Sequence, residues 1–209
     1  MGNSPFSGKL LATEVRVREQ EQGRPAGRGR RADAARSVER LTAAAREVFD
    51  AHGHDAALDE IARRAGVGNA TLYRHFPRRS DLLIAVYAQE VGDLTSRGAQ
   101  LRSAPDAAAG LLTWLDHFVV HVATKRALGL AAATGATEDH GALFAGWHDA
   151  MISTAGALLR RAQQAGGIRR DVAVLDLLAL ANGAALAGTD LAQAHRLLRL
   201  TWHGLREDR

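Results

Sequence analysis

Residues Leu58 to Leu83 read LDEIARRAGVGNATLYRHFPRRSDLL, and the stretch divides at Gly66. Before the glycine, Leu58, Ile61, Ala62 and Ala65 recur at helical spacing and give one short helix a single apolar face. After it, Val67, Leu72 and Phe76 mark a second short helix. Gly66 stands where a helix ends with a residue at positive φ, which glycine adopts without steric cost. Two short helices joined by a tight glycine turn are a helix-turn-helix, whose second helix is shaped to enter a DNA major groove.

The second helix carries the chemistry for that task. Asn69, Ala70, Thr71, Tyr73, Arg74 and His75 fall within about two turns, and Arg78 and Arg79 follow Pro77. Amide, hydroxyl, imidazole and guanidinium donors at this density suit phosphate oxygens and base edges. Tyr73 has a competing reading, packing against the first helix of the head. Pro77 stops the helix, because it lacks an N–H and disfavours helical geometry at Phe76. Ser80 or Asp81 is then expected to cap a third element that begins with Leu82 and Leu83.

The run Ile61-Ala62-x-x-Ala65-Gly66-Val67, then Thr71-Leu72-Tyr73-x-His75-Phe76, then Arg79 and Leu82, closely resembles the DNA-binding domain of TetR-family transcriptional regulators. The resemblance covers roughly residues 34–88 and is far more specific than a glycine with some apolar spacing. It implies operator contacts from Asn69, Ala70, Thr71, Tyr73, Arg74, His75, Arg78 and Arg79. It also implies a body that binds a small molecule and pairs with a second copy. Two departures stand out. Ala57 occupies the position where the family usually has Ser or Thr, three residues before Glu60. It cannot form a capping box, a loss of about 1 kcal/mol. Gly68 and Ala70 replace the usual Ser and Gly, and Gly68 remains an acceptable cap.

With 209 residues, the chain has room for a small domain joined to a larger one. It has no cysteine, which excludes disulfides, zinc fingers and cysteine nucleophiles. No apolar run approaches bilayer-spanning length, and the N-terminus shows no secretory pattern, so the expected location is the cytoplasm without a membrane partner. The net charge of +4 is unevenly placed. Residues 1–40 hold nine Lys or Arg against five Asp or Glu, and the remainder balances at 18 of each. The excess thus lies beside the helix-turn-helix, where a polyanion would lie; a solvated basic tail is the alternative.

Residues 1–32 are expected to be a flexible basic arm, with Gly23-Arg24-Pro25-Ala26-Gly27-Arg28-Gly29-Arg30-Arg31 at its end. Arg30 and Arg31 are its candidate DNA contacts. Residues 33–82 form the helix-turn-helix head. Its first helix is expected from about Ala34 to Ala51, with Val38, Leu41, Ala45, Val48, Phe49 and His52 on one face and Gly53 at its end. His52 is read as packed and His54 as solvated.

Residues 83–209 read as a larger helical body, and the fold class is all-α. Expected helices run from Leu82 to about Leu101, from Asp106 to about Thr124, over 126–135, from Gly141 to Ala165, from Asp171 to about Leu186 and from Thr189 to about Arg206. A loop is expected over 137–141.

Trp114, Phe118 and His121 stripe one body helix, and Phe144, Trp147, His148 and Met151 stripe another. They read as a pocket lining or as ordinary aromatic core. His117 and His121 have a chelating spacing, with Asp116 and His148 as possible company, but no second histidine pair or Glu-x-x-His accompanies them, and neither metal nor cofactor is expected. Ser153, Thr154, His148 and Asp149 share one helix and form no nucleophile–base–orienter triangle, so no enzyme is expected.

The last two helices carry too much apolar surface for one face each. Leu175, Leu178, Leu191, Leu198 and Trp202 are therefore expected between two copies; a buried hairpin within one chain is the alternative. Together these features point to a ligand-responsive, operator-binding homodimer, most simply a repressor. The rival is a DNA-binding protein whose body takes a protein partner.

Overall fold

The computed structural model describes the backbone over residues 26–134 and 141–206 and the side chains over 32–123 and 141–206. It is all-α, with eight helices and no strand among the described residues. They are α1 (Ala26–His52), α2 (Leu58–Arg64), α3 (Asn69–His75), α4 (Arg79–Leu101), α5 (Ala107–Thr134), α6 (Gly141–Gln164), α7 (Val174–Ala187) and α8 (Leu191–Leu205). The loop expected over 137–141 lies largely outside the described residues.

The head is built by α1 to α3. Leu41, Ala45, Val48 and Phe49 of α1, Ile61 and Ala62 of α2, and Leu72 of α3 are all buried. Gly66 makes the turn between α2 and α3. At φ 65° it donates to the Arg63 carbonyl, while Val67 donates to the Ala62 carbonyl. This pair of bonds satisfies carbonyls that the end of α2 leaves open, and it needs the left-handed residue that glycine supplies. Ala57 precedes α2 and makes no side-chain cap.

Several boundaries differ from expectation; α7 begins at Val174 rather than Asp171 and α8 at Leu191 rather than Thr189. Helix α1 begins at Ala26 rather than near Ala34, so it takes in the end of the stretch read as an arm. Residues 26–33 have no apolar stripe, and periodicity therefore could not register them. Alanine and arginine, both good helix formers, carry the extension despite Gly27 and Gly29. Helix α4 begins at Arg79 with Arg78 as its N-cap, not Ser80 or Asp81. Asp81 instead sits in the first turn and accepts from the Arg78 backbone N–H at 2.9 Å. Helix α5 is continuous to Thr134, where a break near Thr124 and a second helix over 126–135 were expected. Lys125 and Arg126 interrupt the apolar stripe, but they do not lower helix propensity.

In the body, α5 lies against α4, α6, α7 and α8. Trp114 of α5 is fully buried and donates its indole N–H to the Leu94 carbonyl of α4 at 3.0 Å. Gly98 of α4 lets the layers close. A Cβ there would run into the Thr154 methyl of α6 and lie 2.9 Å from the Trp114 indole nitrogen. Asp106 caps α5 by accepting from the N–H groups of Ala108 and Ala109, which holds its carboxyl below the usual carboxylate range. Asp190 caps α8 through the Gln193 N–H at 2.7 Å. Among the described residues, no helix is long and apolar enough to cross a membrane.

Candidate nucleic-acid interface

Helix α3 is held by its inner side and offers its outer side to solvent. Leu72 and Phe76 are buried in the head core. Asn69, Ala70, Tyr73 and Arg74 are exposed, and Thr71 and His75 are half-buried at the margins. Tyr73 is 49% exposed, which leaves about half of its surface open to a partner. The outward face therefore combines an amide, a small residue, a phenol and a guanidinium, a set that hydrogen-bonds bases and phosphates.

Three of these groups are tuned by their neighbours. Asn69 donates from Nδ2 to Asp59 Oδ1 of α2 at 2.9 Å, a side-chain bond between the two short helices. Asp59 is a contributor that the sequence reading did not single out. The two residues come together only once the turn at Gly66 is closed. His75 is held below the usual histidine value, first by burial and then by the adjacent Arg74 charge. At neutral pH its ring therefore offers one donor and one acceptor rather than a cation. Arg78 is exposed, with Nε 3.9 Å from the Asp81 carboxylate.

Arg79 also ties the head together. Its Nη1 donates to the carbonyls of His54 at 2.9 Å and Ala56 at 2.7 Å, tying the start of α4 to the loop between α1 and α2. The side chains of Arg30 and Arg31 lie outside the described residues; their backbone belongs to α1. His52, the last residue of α1, and His54, in the loop after it, differ from expectation. His52 is exposed with Nε2 3.7 Å from Glu60, whereas His54 is half-buried.

In the body, Trp114, Phe118, His121, Trp147 and Met151 are buried and Phe144 is half-buried, but His148 is exposed and stands apart. Trp114 and Phe118 stack at 5.5 Å, and Phe144 meets Trp147 edge-on at 5.0 Å. The sequence reading missed Tyr87 of α4, which joins the groups. Its ring lies 5.3 Å from Trp147 and 5.5 Å from His121, and burial raises its phenol above the usual tyrosine value. The buried Trp147 indole N–H has no acceptor among the described residues.

His117 Nδ1 is 2.7 Å from the carbonyl of Thr113 on its own helix, and Asp116 turns to Arg199 at 3.1 Å. The constellation of His117, His121, Asp116 and His148 is thus dispersed. Among the described residues, no group of three or more His, Asp or Glu side chains could hold a metal ion.

On α7 and α8, Leu178, Leu198 and Trp202 are buried within the single chain. They are core, not outer surface, because α5 packs against both helices. Leu175 is 60% exposed and Leu191 39%, and Leu180, Leu186 and Leu200 are exposed with them.

Residues 41–86 match the family described as bacterial regulatory proteins, tetR family, and residues 105–207 match the C-terminal domain of SbtR-like transcriptional regulators. A TetR transcriptional regulator from Streptomyces coelicolor has the same fold with a TM-score of 0.69. It is 35% identical, over 82% of this chain and 99% of that one. This chain is a TetR-family transcriptional regulator. A TetR regulatory protein from Mycobacterium vanbaalenii is similar too, with a TM-score of 0.68 and 34% identity over 85% of this chain and 99% of that one. The HTH-type transcriptional activator FasR of Mycolicibacterium smegmatis is 44% identical over 88 residues. That match spans 40% of this chain and 40% of FasR. The TetR regulator is thus a DNA-binding protein rather than an enzyme.

Proposed function

We propose that this TetR regulator is a cytoplasmic, ligand-responsive repressor that binds a palindromic operator as a homodimer and leaves it when a small molecule occupies the body. The observation that carries the reading is the outward face of α3. Asn69, Ala70, Tyr73 and Arg74 are exposed while Leu72 and Phe76 anchor the same helix from behind. Thr71 and His75 flank that face, Arg78 extends it, and Arg30 and Arg31 of the basic N-terminal stretch are further candidate phosphate contacts. Arg79 supports the surface from behind.

The exposed leucines of α7 and α8 support the dimer. Leu175, Leu180, Leu186, Leu191 and Leu200 leave apolar surface that a second copy would remove from water. Two heads would then read two half-sites about 34–36 Å apart. The effector site is placed among Tyr87, Trp114, Phe118, His121, Phe144, Trp147 and Met151. The Trp147 N–H there favours an apolar or aromatic molecule with one hydrogen-bond acceptor. Such a molecule would act by binding more tightly to the conformation whose heads do not fit the operator.

A thermal-shift screen with small aromatic and aliphatic acceptors tests the effector half of this reading. A compound that raises the Tm and releases bound duplex supports it. A body that binds no small molecule but captures a protein partner would replace it with the partner-binding reading.

A further inference from the structure

Helix α4 connects the two halves of the molecule. It starts three residues after α3 ends, and Leu94 and Gly98 near its far end are locked to Trp114 and Thr154 of the body. Any tilt of α4 relative to α1 therefore reorients the recognition helix. Beside the contact lies an open cleft of about 830 Å³, lined by Arg46 and Asp50 of α1, Glu90, Asp93 and Arg97 of α4, and His117 of α5. Phe49 and Leu94 also line the cleft, so its wall mixes apolar and charged side chains.

Across the cleft edge, one side chain of the head grips two of α4. Arg46 Nε is 2.7 Å from Glu90 Oε1, and Arg46 Nη1 is 2.9 Å from Asp93 Oδ2. The Glu90 side chain is only 9% exposed, so its attraction to the guanidinium is weakly screened, whereas Asp93 is exposed and accepts the Nη1 hydrogen bond. Burial pulls the Arg46 guanidinium down, but Glu90 and Asp93, with Asp50 behind them, outweigh it and hold it above the usual arginine value. A planar fork can serve two carboxylates at once and resist rotation between them, which a point charge does less well.

We propose that Arg46 is a positioning residue for DNA binding: its grip on Glu90 and Asp93 holds the head against α4 and so sets the orientation of the recognition helix. The proposal rests on the regulator reading above, and it predicts a measurable change in the free protein.

The chain has no cysteine, so a pair of spin labels can be placed at Arg63→Cys on α2 and Ser153→Cys on α6, both exposed. Diluting the labelled chain in unlabelled protein isolates the distance within one subunit. We expect one narrow distance distribution for the labelled parent. A broadened or shifted distribution is expected for Arg46→Met, and a smaller change for the surface variant Asp93→Asn, which keeps the test available should the first variant fold poorly. Arg46→Lys, which retains the charge near Glu90, should recover most of the narrow distribution. In parallel, Arg46→Met should bind a duplex selected by the parent about tenfold more weakly, the size of a typical coupling between sites.

Distributions unchanged in Arg46→Met and Asp93→Asn would overturn the proposal. So would a shifted distribution with undiminished DNA affinity. A parent that selects no duplex counts against the regulator reading, and the distances still decide the clasp.

Discussion

The Arg79 guanidinium donates to the Ala56 carbonyl at 2.7 Å, so the residue that follows the recognition segment reaches back to the loop before α2. A second bond from the same nitrogen, to the His54 carbonyl, closes the loop on α4. Arg79→Met should therefore lower thermal stability, by about 1–3 kcal/mol for a charged donor removed from part-buried carbonyls. It should leave the slope of log affinity against log salt unchanged. Arg78→Met, at an exposed position beside the same interface, should flatten that slope with little loss of stability. Salt titrations of both variants decide between the roles.

His75 gives a pH signature. Burial first, and Arg74 second, keep its pKa in the free protein below the ordinary histidine value. A phosphate beside the ring would raise it, so binding would take up a proton. Affinity should then strengthen as pH falls through the pKa of the complex and level off below that of the free protein. His75→Gln should remove this increment and leave the rest of the pH profile intact. Binding isotherms across that pH range show whether it does.

Gly98 is a steric requirement. Gly98→Ala places a methyl group against Thr154 and Trp114 and should cost about 1–3 kcal/mol, the usual range for overpacking a tight core. The double variant Gly98→Ala with Thr154→Ser, which removes the opposing methyl, should regain part of that loss. Denaturant melts of the two variants provide the comparison.

Assembly separates buried from exposed leucines. Leu198→Ala removes a buried side chain from the core of the single chain and should cost about 2–5 kcal/mol at any protein concentration. Leu175→Arg acts on an exposed residue. It should leave the subunit folded but shift sedimentation to the monomer, because a charge would be trapped between copies. A Leu175→Arg chain that still sediments as a dimer would move the interface elsewhere.

What the sequence disclosed was local. The Gly66 turn, the inward Leu72 and Phe76, and the outward Asn69 and Arg74 all follow from spacing within a few residues, and each lies where that spacing puts it. The Arg79 carbonyl contacts, the Asp59–Asn69 bond and the entry of Tyr87 into the aromatic cluster depend on which segments meet in space, and periodicity carries no such information. Helices α7 and α8 show the limit plainly. Their apolar residues exceed one face, but the pattern cannot say which face α5 takes. The structure gives it Leu198 and Trp202 and leaves Leu175 and Leu200 outside.

The central claim is that two α3 helices read one inverted repeat. Selecting duplexes from a random pool with the intact chain, then sequencing them, tests it most directly. The account predicts an enriched palindrome whose half-site centres lie one helical turn, or a multiple of it, apart. It further predicts that Asn69→Ala alters the preferred bases, while Tyr73→Ala weakens all duplexes alike. Enrichment of a single asymmetric site, or of no motif at all, would contradict it.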